Sequence, residues 1–318
     1  MPAEFIDATD PPAPPPGLAR AVYAIGNFDG VHRGHAAVVA RARALAREMG
    51  VASAALTFEP HPADFFARRS VVFRLTPRAA KAKALQALGL EGVVTLSFDA
   101  VLAALSAEDF VAQILVGRLD AGAVIVGWDF HFGKSRLGTP AFLRDAGERH
   151  GFRVEVLEKV AASGQGAAIS STAVREALAK GDVEGAGALL GRRYSVIGRV
   201  VAGQRLGRTL DTPTANLALE PGHRLAHGVY VVAVAVDGKT YGGVASFGVR
   251  PTVDDGAPLL EAHLFDFAGD LYGKTIEVAF VARIRGEEKF GSLEALRAEM
   301  ARDKVKARAI LAAAAPGV

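Results

Sequence analysis

The chain changes once from alternating strands and helices to consecutive strands, and this change constrains its fold more than any other feature. Up to about Leu190, short apolar runs alternate with helix-forming segments. Such alternation is typical of a parallel sheet with helices on both faces, so we predict an α/β domain. The predicted strands span 21–25, 51–58, 92–98, 121–126 and 152–157, and the predicted helices 36–49, 77–88, 106–115, 139–150 and 173–180.

Beyond Gly191 the predicted strands follow one another without helices between them. Asp237-Gly238 separates two of these strands and is typical of a tight hairpin turn. A final amphipathic segment has Ser292 as its expected N-cap. We therefore predict a small antiparallel β-barrel with a terminal helix. The β-branched runs that support it span 196–201, 229–236, 240–247, 259–267 and 275–284.

Length and composition support two domains and exclude several functional classes. A chain of 318 residues, half of them hydrophobic, is long enough for two cores. It has no cysteine, which excludes disulfides, thiolate nucleophiles and cysteine zinc sites. The net charge is only +3 and the basic residues are not interleaved with aromatic residues, so we expect no nucleic-acid partner. No apolar stretch approaches the roughly 18 residues of a membrane span, so we expect no membrane partner.

The N-terminal segment is rich in proline and carries acidic residues. Five prolines lie between Pro11 and Pro16, and no basic and apolar segments of a signal peptide precede them. We expect a disordered tail over 1–16 and a cytoplasmic protein. The predicted domain boundaries are then 17–190 for the α/β domain and 191–318 for the barrel domain.

A ten-residue segment, G-N-F-D-G-V-H-R-G-H at 26–35, joins the first strand of the α/β domain to its first helix. A helix start offers unpaired backbone N–H groups to an anion, and glycines let a ligand approach the chain. His32 and His35 are three residues apart, so both rings project from the same side of the helix. The segment predicts a phosphate site. Two surface histidines or a metal-binding pair are the alternatives.

A second helix start carries the same type of signal. Three hydroxyl residues in I-S-S-T-A-V-R, at 169–175, precede a helix, and Arg175 lies one turn into it. They predict a second phosphate contact, and ordinary N-capping is the alternative. Further unusual motifs follow the strands that end at Phe58 and Val126. Because parallel strands present their carboxyl ends at one edge, we expect these motifs to share one site.

The ten-residue segment resembles the H-x-G-H signature of nucleotidyltransferases, and its full form resembles the bacterial bifunctional riboflavin kinase/FAD synthetase family. The resemblance extends from Val22 to Ala309. It implies a Rossmann-like, doubly wound FMN adenylyltransferase domain in which His32 and His35 are catalytic. The nucleotide-binding residues implied there are Gly26, Asn27, Phe28, Asp29, His32, His35, His61, Ser170, Ser171, Thr172 and Arg175, and those near the flavin and phosphates are Asp129, Phe130 and Phe132.

The second domain resembles the riboflavin kinase of that family. The matching segments are G-R-T-L at 207–210, P-T-A-N at 213–216, S-F-G-V-R-P-T at 246–252 and E-A-H-L-F-D-F at 261–267. The resemblance implies that Glu261 is the catalytic base, which suits a substrate hydroxyl that loses its proton as it attacks. It implies nucleotide binding by Gly207, Arg208, Pro213, Thr214 and Asn216, of which Thr214 and Asn216 hold Mg²⁺.

One departure from the family pattern lies within the kinase motif. Asp211 and Thr212 stand where the family has Gly-Phe. Two like charges at 4 Å repel by about 1 kcal/mol in water-like surroundings and about 4 kcal/mol at an effective dielectric near 20. Asp211 is therefore predicted to weaken ATP binding at the kinase site, unless its carboxylate turns to water or joins the Mg²⁺ shell. The alternative function is an FAD synthetase whose kinase module is weakened or only binds.

The predicted function is bifunctional flavin cofactor biosynthesis. The barrel would phosphorylate riboflavin to FMN with ATP and Mg²⁺, and the α/β domain would adenylate FMN to FAD and release pyrophosphate. Flavins are then substrates and products rather than prosthetic groups, and we expect a monomer or a weak homo-oligomer. A regulatory flavin-binding protein would not need Glu261. A nucleotidyltransferase for another substrate would not need the barrel.

Overall fold

The computed structural model describes residues 4–158, 169–201, 214–219, 223–249 and 258–314. The chain forms two compact units, Met1–Ser171 and Thr172–Val318. The expected boundary between residues 190 and 191 stays a prediction.

The first unit is built on a six-stranded sheet in which every pair of neighbouring strands is parallel. Its strands are β1 (Ile6–Thr9), β2 (Val22–Ile25), β3 (Ser53–Glu59), β4 (Gly92–Ser97), β5 (Ala123–Gly127) and β6 (Arg153–Leu157). They lie in the order β1-β4-β3-β2-β5-β6. The chain builds outward from β2 to β3 and β4, then returns to add β5 on the other side of β2. The carboxyl ends of β2 and β5 therefore form a topological switch point, where open α/β sheets bind their ligands.

Helices cover both faces of this sheet because successive strand residues point to opposite sides. On β2, Tyr23 packs into one core cluster and Val22 and Ala24 pack into the other. The helices that the structure describes in this unit are α1 (Arg33–Met49), α2 (Pro62–Ala67), α3 (Arg78–Ala87), α4 (Ala100–Ala104), α5 (Ala107–Asp109) and α6 (Pro140–His150). The helical turn of α5 continues as a π-helix over Phe110–Arg118, and Lys134–Arg136 is a short 3₁₀ turn. Ser106 caps α5 as predicted.

The prediction of a disordered tail over residues 1–16 is wrong for β1. Its four residues pair in parallel with β4, and the carboxylate of Asp10 then accepts the backbone N–H of Ser97 at 2.9 Å. Pairing with β1 satisfies backbone groups of β4 that would otherwise lie on an open sheet edge. Four residues are too short a pattern for sequence periodicity to detect.

The second unit contains a closed antiparallel barrel of six strands. Its strands are β7 (Ser195–Val201), β8 (Ala215–Ala218), β9 (Gly228–Val236), β10 (Lys239–Val249), β11 (Pro258–Leu264) and β12 (Thr275–Arg285). Asp237 and Gly238 both have positive φ, 50° and 76°, in the predicted two-residue hairpin. The remaining helices within the described ranges are α7 (Ser171–Lys180), α8 (Val183–Leu190) and α9 (Leu293–Ala313), and Ser292 caps α9. The predicted fold class, an α/β domain followed by a small β-barrel with a terminal helix, is confirmed.

Candidate active sites

The loop after β2 has an unusual backbone conformation at the switch point of the sheet. Phe28, Gly30 and Val31 all have positive φ, at 48°, 88° and 43°. A β-branched residue such as Val31 rarely adopts this conformation, and such strain persists where the surroundings fix the backbone firmly. Here they do, since the N–H of Gly26 bonds to the carbonyl of Leu56 at 3.1 Å and that of Gly30 to Thr76 Oγ1 at 2.9 Å.

Asp29 fixes the conformation of this loop through hydrogen bonds of its side chain and its backbone. Its buried carboxylate accepts the backbone N–H groups of Leu75 and Thr76, each at 3.0 Å from Oδ1. Its carbonyl oxygen accepts the hydroxyl of Ser171 at 2.8 Å. Asp29, which the resemblance placed among the nucleotide-binding residues, thus lies in the loop with its carboxylate engaged by the protein itself. Its contacts link the loop to the segment before α3 and to Ser171.

His32 is the N-cap of α1, and this position determines how its ring is oriented. Nδ1 accepts the backbone N–H of His35 at 3.3 Å, and only 6% of the residue is exposed. A neutral imidazole that accepts at Nδ1 carries its hydrogen on Nε2, so Nε2 is the donor. The His32 and His35 rings stack with centroids 3.7 Å apart and planes 13° from parallel. The spacing of the two histidines therefore brings both rings to one side, as expected.

Two backbone amides remain for an anion at the start of α1. The N–H of His35 is bonded to His32, and that of Ala36 to the carbonyl of His32 at 2.9 Å. Among the described residues, the N–H groups of Arg33 and Gly34 have no hydrogen-bond partner. A phosphate at this helix start can therefore be bound by these two amides and by Nε2 of His32.

The second predicted phosphate motif adjoins the first at its beginning. The Ser171 hydroxyl bonds to the loop through Asp29, and a side chain at Gly34 would have its Cβ 3.6 Å from the carbonyl oxygen of Ile169. Ser170 lies between these two contacts along the chain. Thr172 and Arg175 follow in α7, which belongs to the second unit from Thr172 onward.

The motif after β3 also adjoins the loop. His61 caps α2, with Nδ1 accepting the N–H of Ala63 at 3.1 Å, and its Nε2 lies 3.5 Å from the side-chain amide of Asn27. The carbonyl oxygen of Asn27 accepts the hydroxyl of Thr57 at 3.2 Å. The structure thus brings Asn27 and His61 together, as the positions of the motifs after two parallel strands predicted.

A buried ionic cluster behind the loop was missed at the sequence level. Glu59 accepts Arg74 Nη2 at 2.5 Å and Lys81 Nζ at 2.9 Å. Burial alone would raise the pKa of Glu59, but the two cations outweigh burial and lower it. Burial lowers the pKa of Lys81, against the effect of Glu59. The sequence did contain an indication of this cluster. Lys81 lies four residues before buried Leu85, so it occupies the helix face where an apolar residue is expected.

The three residues singled out after β5 have different surroundings. Asp129 is exposed and Phe130 is half-buried, whereas Phe132 belongs to the hydrophobic core. The Phe132 ring lies 5.3 Å from that of Phe110 and 5.4 Å from that of Phe130. Phe132 therefore packs against Phe130 from the side of the hydrophobic core. Of the three residues, Asp129 and Phe130 are the two that a ligand can reach.

In the barrel, Asn216 on β8 faces Glu261 on β11 as a direct cross-strand pair. Side chains of such a pair lie on the same face of the sheet. Asn216 is only 5% exposed, and its Oδ1 is buried without a hydrogen-bond partner in the described structure. A buried amide oxygen left without a donor suits a hard cation such as Mg²⁺, and Thr214 stands two residues away. Gly207, Arg208, Asp211, Thr212 and Pro213 lie outside the described residues.

These features define a two-domain phosphate-transferring enzyme: a nucleotidyltransferase-type α/β unit followed by a small kinase-type barrel. Residues 15–173 match the family model of FAD synthetase, and residues 190–311 match that of riboflavin kinase.

Curated relatives that match nearly the whole chain have names that combine the same two activities. The chain is 46% identical over 295 residues to the bifunctional riboflavin kinase/FMN adenylyltransferase of Pseudomonas fluorescens, covering 92% of this chain and 94% of that protein. It is 41% identical over 288 residues to that of Escherichia coli K12, covering 90% and 91%. The relative from Bacillus subtilis is 36% identical over 296 residues, covering 91% and 92%. The chain belongs to the family of bifunctional riboflavin kinase/FMN adenylyltransferases.

The sequence-based predictions of this family, of a bifunctional enzyme and of its two activities are therefore confirmed. The alternative of an FAD synthetase with a weakened or binding-only kinase module is not favoured, because the riboflavin kinase model matches the barrel.

The fold is also similar to a crystal structure described as a macrolide-efflux protein from Streptococcus pneumoniae. That similarity has a TM-score of 0.83 and 30% identity, and it covers 96% of this chain and 99% of that one. Among the described helices, none combines the length and the apolar character needed to cross a membrane.

Proposed function

We propose that the loop 26–31 and the start of α1 bind the phosphates of ATP and promote transfer of its adenylyl group to FMN. The observation that carries this proposal is the geometry of His32. Its Nδ1 is occupied by the N-cap bond, so the hydrogen on Nε2 is directed away from the helix backbone. The helix start adds the amides of Arg33 and Gly34 and the positive end of its dipole.

In the proposed adenylyl transfer, a phosphate oxygen of FMN attacks the α-phosphorus of ATP. A new P–O–P bond forms, the bond between the α-phosphorus and the bridging oxygen breaks, and pyrophosphate leaves with that oxygen. His32 and the two amides stabilise the negative charge that develops on the phosphate oxygens. FMN phosphate is already ionised near neutral pH, so the step needs no general base.

The other predicted residues of this site complete the proposal. Asp29, Phe28 and Gly26 shape the loop, while Asn27 and His61 line its edge next to β3. Asp129 and Phe130 would contact the flavin and its phosphate, with Phe132 packed beneath. The hydroxyl residues Ser170, Ser171 and Thr172, together with Arg175 and His35, are proposed as further ligands of the triphosphate.

In the barrel, we assign Glu261 as the base that removes the proton from the terminal ribityl hydroxyl of riboflavin as this oxygen attacks the γ-phosphorus of ATP. The products are FMN and ADP. Thr214 and Asn216 would hold Mg²⁺ together with ATP phosphates, and the buried Oδ1 of Asn216 supports this assignment. When bound, the ion neutralises part of the phosphate charge.

Product analysis tests both halves of the proposal in the intact chain. With ATP and Mg²⁺, riboflavin should give FMN and then FAD, while FMN should give FAD and pyrophosphate. Chelation with EDTA should abolish riboflavin phosphorylation. Failure to convert FMN would refute the assignment of the first unit, and failure to convert riboflavin would refute that of the barrel.

A further inference from the structure

A chain of buried hydrogen bonds connects α3 to the phosphate-binding loop. Lys81 Nζ donates to Thr57 Oγ1 at 3.2 Å, and the Thr57 hydroxyl donates to the carbonyl oxygen of Asn27, also at 3.2 Å. Lys81 is 2% exposed and Thr57 is 1% exposed. Water therefore does not compete for these bonds, and each group must be satisfied by the protein.

The chemistry of the three groups fixes the direction of this chain. An ammonium group can only donate, so the Thr57 oxygen must accept from Lys81. The single hydrogen of the Thr57 hydroxyl is then left for a carbonyl oxygen, which can only accept. Asn27 supplies that oxygen, and so Lys81 determines where the Thr57 hydroxyl points. The carboxylate of Glu59 holds Lys81 Nζ in place from the other side, at 2.9 Å.

This cluster contributes geometry rather than positive charge. The two cations, Arg74 and Lys81, interact with three buried or half-buried carboxylates, those of Glu59, Asp29 and Asp64, so both positive charges are compensated. Neither cation is thus an uncompensated positive charge aimed at ATP. What the cluster provides is a fixed carbonyl at Asn27, at the beginning of a loop whose later residues adopt strained left-handed conformations.

We propose that Lys81 is a positioning residue of adenylyl transfer, which acts through Thr57 to fix Asn27 and the loop that leads to His32. This inference rests on the proposed function of the first unit. A shift of the loop by a fraction of an ångström would displace the imidazole and the amides from the phosphates, and misplacement by about 1 Å can cost about 10²-fold in rate.

Thr57→Val is the most direct test, because it keeps the shape of the side chain and leaves the pairs of Glu59 with Lys81 and Arg74 in place. We expect kcat for FMN adenylylation to fall about tenfold in Thr57→Val. Lys81→Met should lower kcat by the same factor. Thr57→Ser retains the hydroxyl and should restore activity to within twofold of the unaltered chain. Lys83→Met, which replaces an exposed lysine on the same helix, is the matched control and should leave kcat unchanged.

The double variant Thr57→Val/Lys81→Met distinguishes positioning from two separate structural effects. If both residues act through the same bond to Asn27, the double variant should be no slower than the slower single variant. Thermal unfolding of each variant is measured in parallel. If Lys81→Met fails to fold, the comparison of Thr57→Val with Thr57→Ser still tests the inference.

Three results would overturn the inference: full activity of a folded Thr57→Val variant, losses that multiply in the double variant, or failure of Thr57→Ser to restore the rate. An unaltered chain that does not adenylate FMN would instead refute the proposed function itself.

Discussion

Substitution can separate two roles of His32, because its Nδ1 caps α1 while its Nε2 is proposed to donate to a phosphate oxygen. His32→Asn keeps an excellent N-cap residue but removes the Nε2 donor. His32→Ala removes both. An N-cap bond is worth about 1 kcal/mol, so the alanine variant should be less stable than the asparagine variant by about this amount. Both lose the ring that stacks on His35, so this loss cancels in the comparison.

Catalysis should respond differently from stability. Removing one preorganised donor to a developing oxyanion costs about 10²–10³-fold in kcat, or about 2.7–4 kcal/mol. We expect both variants to lose FMN adenylylation by this factor, although only His32→Ala loses the cap. The measurements are kcat for FAD formation from FMN and the free energy of unfolding in urea.

Riboflavin phosphorylation by the same chain is the internal control and should be unchanged in both variants. If His32→Asn retained more than a tenth of the original kcat for FAD formation, the role of Nε2 as a phosphate donor would be refuted. The role of His32 would then be limited to capping α1. Equal stability of the two variants would refute the N-cap assignment.

Three further predictions follow from individual contacts. Gly34→Ala places a Cβ 3.1 Å from the His32 ring, so FAD formation should fall about tenfold in steady-state assays while thermal stability is retained; unchanged kinetics would show that the ring is free to move. Glu261→Gln should lower riboflavin phosphorylation by about 10²-fold or more and leave FMN adenylylation intact, and equal losses in both assays would contradict its role as a base. The pKa of Glu59 is lowered from 4.5 in the folded protein, so its stabilising effect is complete above pH 4.5 and is lost as the pH falls through the folded-state value. Urea unfolding of Glu59→Gln should therefore depend less on pH in acid than that of the unaltered chain, and identical pH profiles would rule out this contribution.

The sequence was most informative where chemistry follows from local spacing. The H-x-x-H spacing placed both histidines on one side of a helix start, and Asp237-Gly238 marked the hairpin, because both depend on residues close together in the chain. The short strands β1 and β8 were not predicted. Their four residues each are too few for a periodic pattern, and they are strands because neighbouring strands bond to them.

The two domain types, the order of their main elements and the motifs that identify the family could all be predicted from the sequence alone. Which groups of those motifs the protein itself engages depends on how distant parts of the chain pack together. The tertiary structure engages the Asp29 carboxylate with Leu75 and Thr76 and directs the Thr57 hydroxyl to Asn27 through Lys81. These bonds join residues that are far apart in the chain, so their partners exist only once the parallel strands and α3 have packed together.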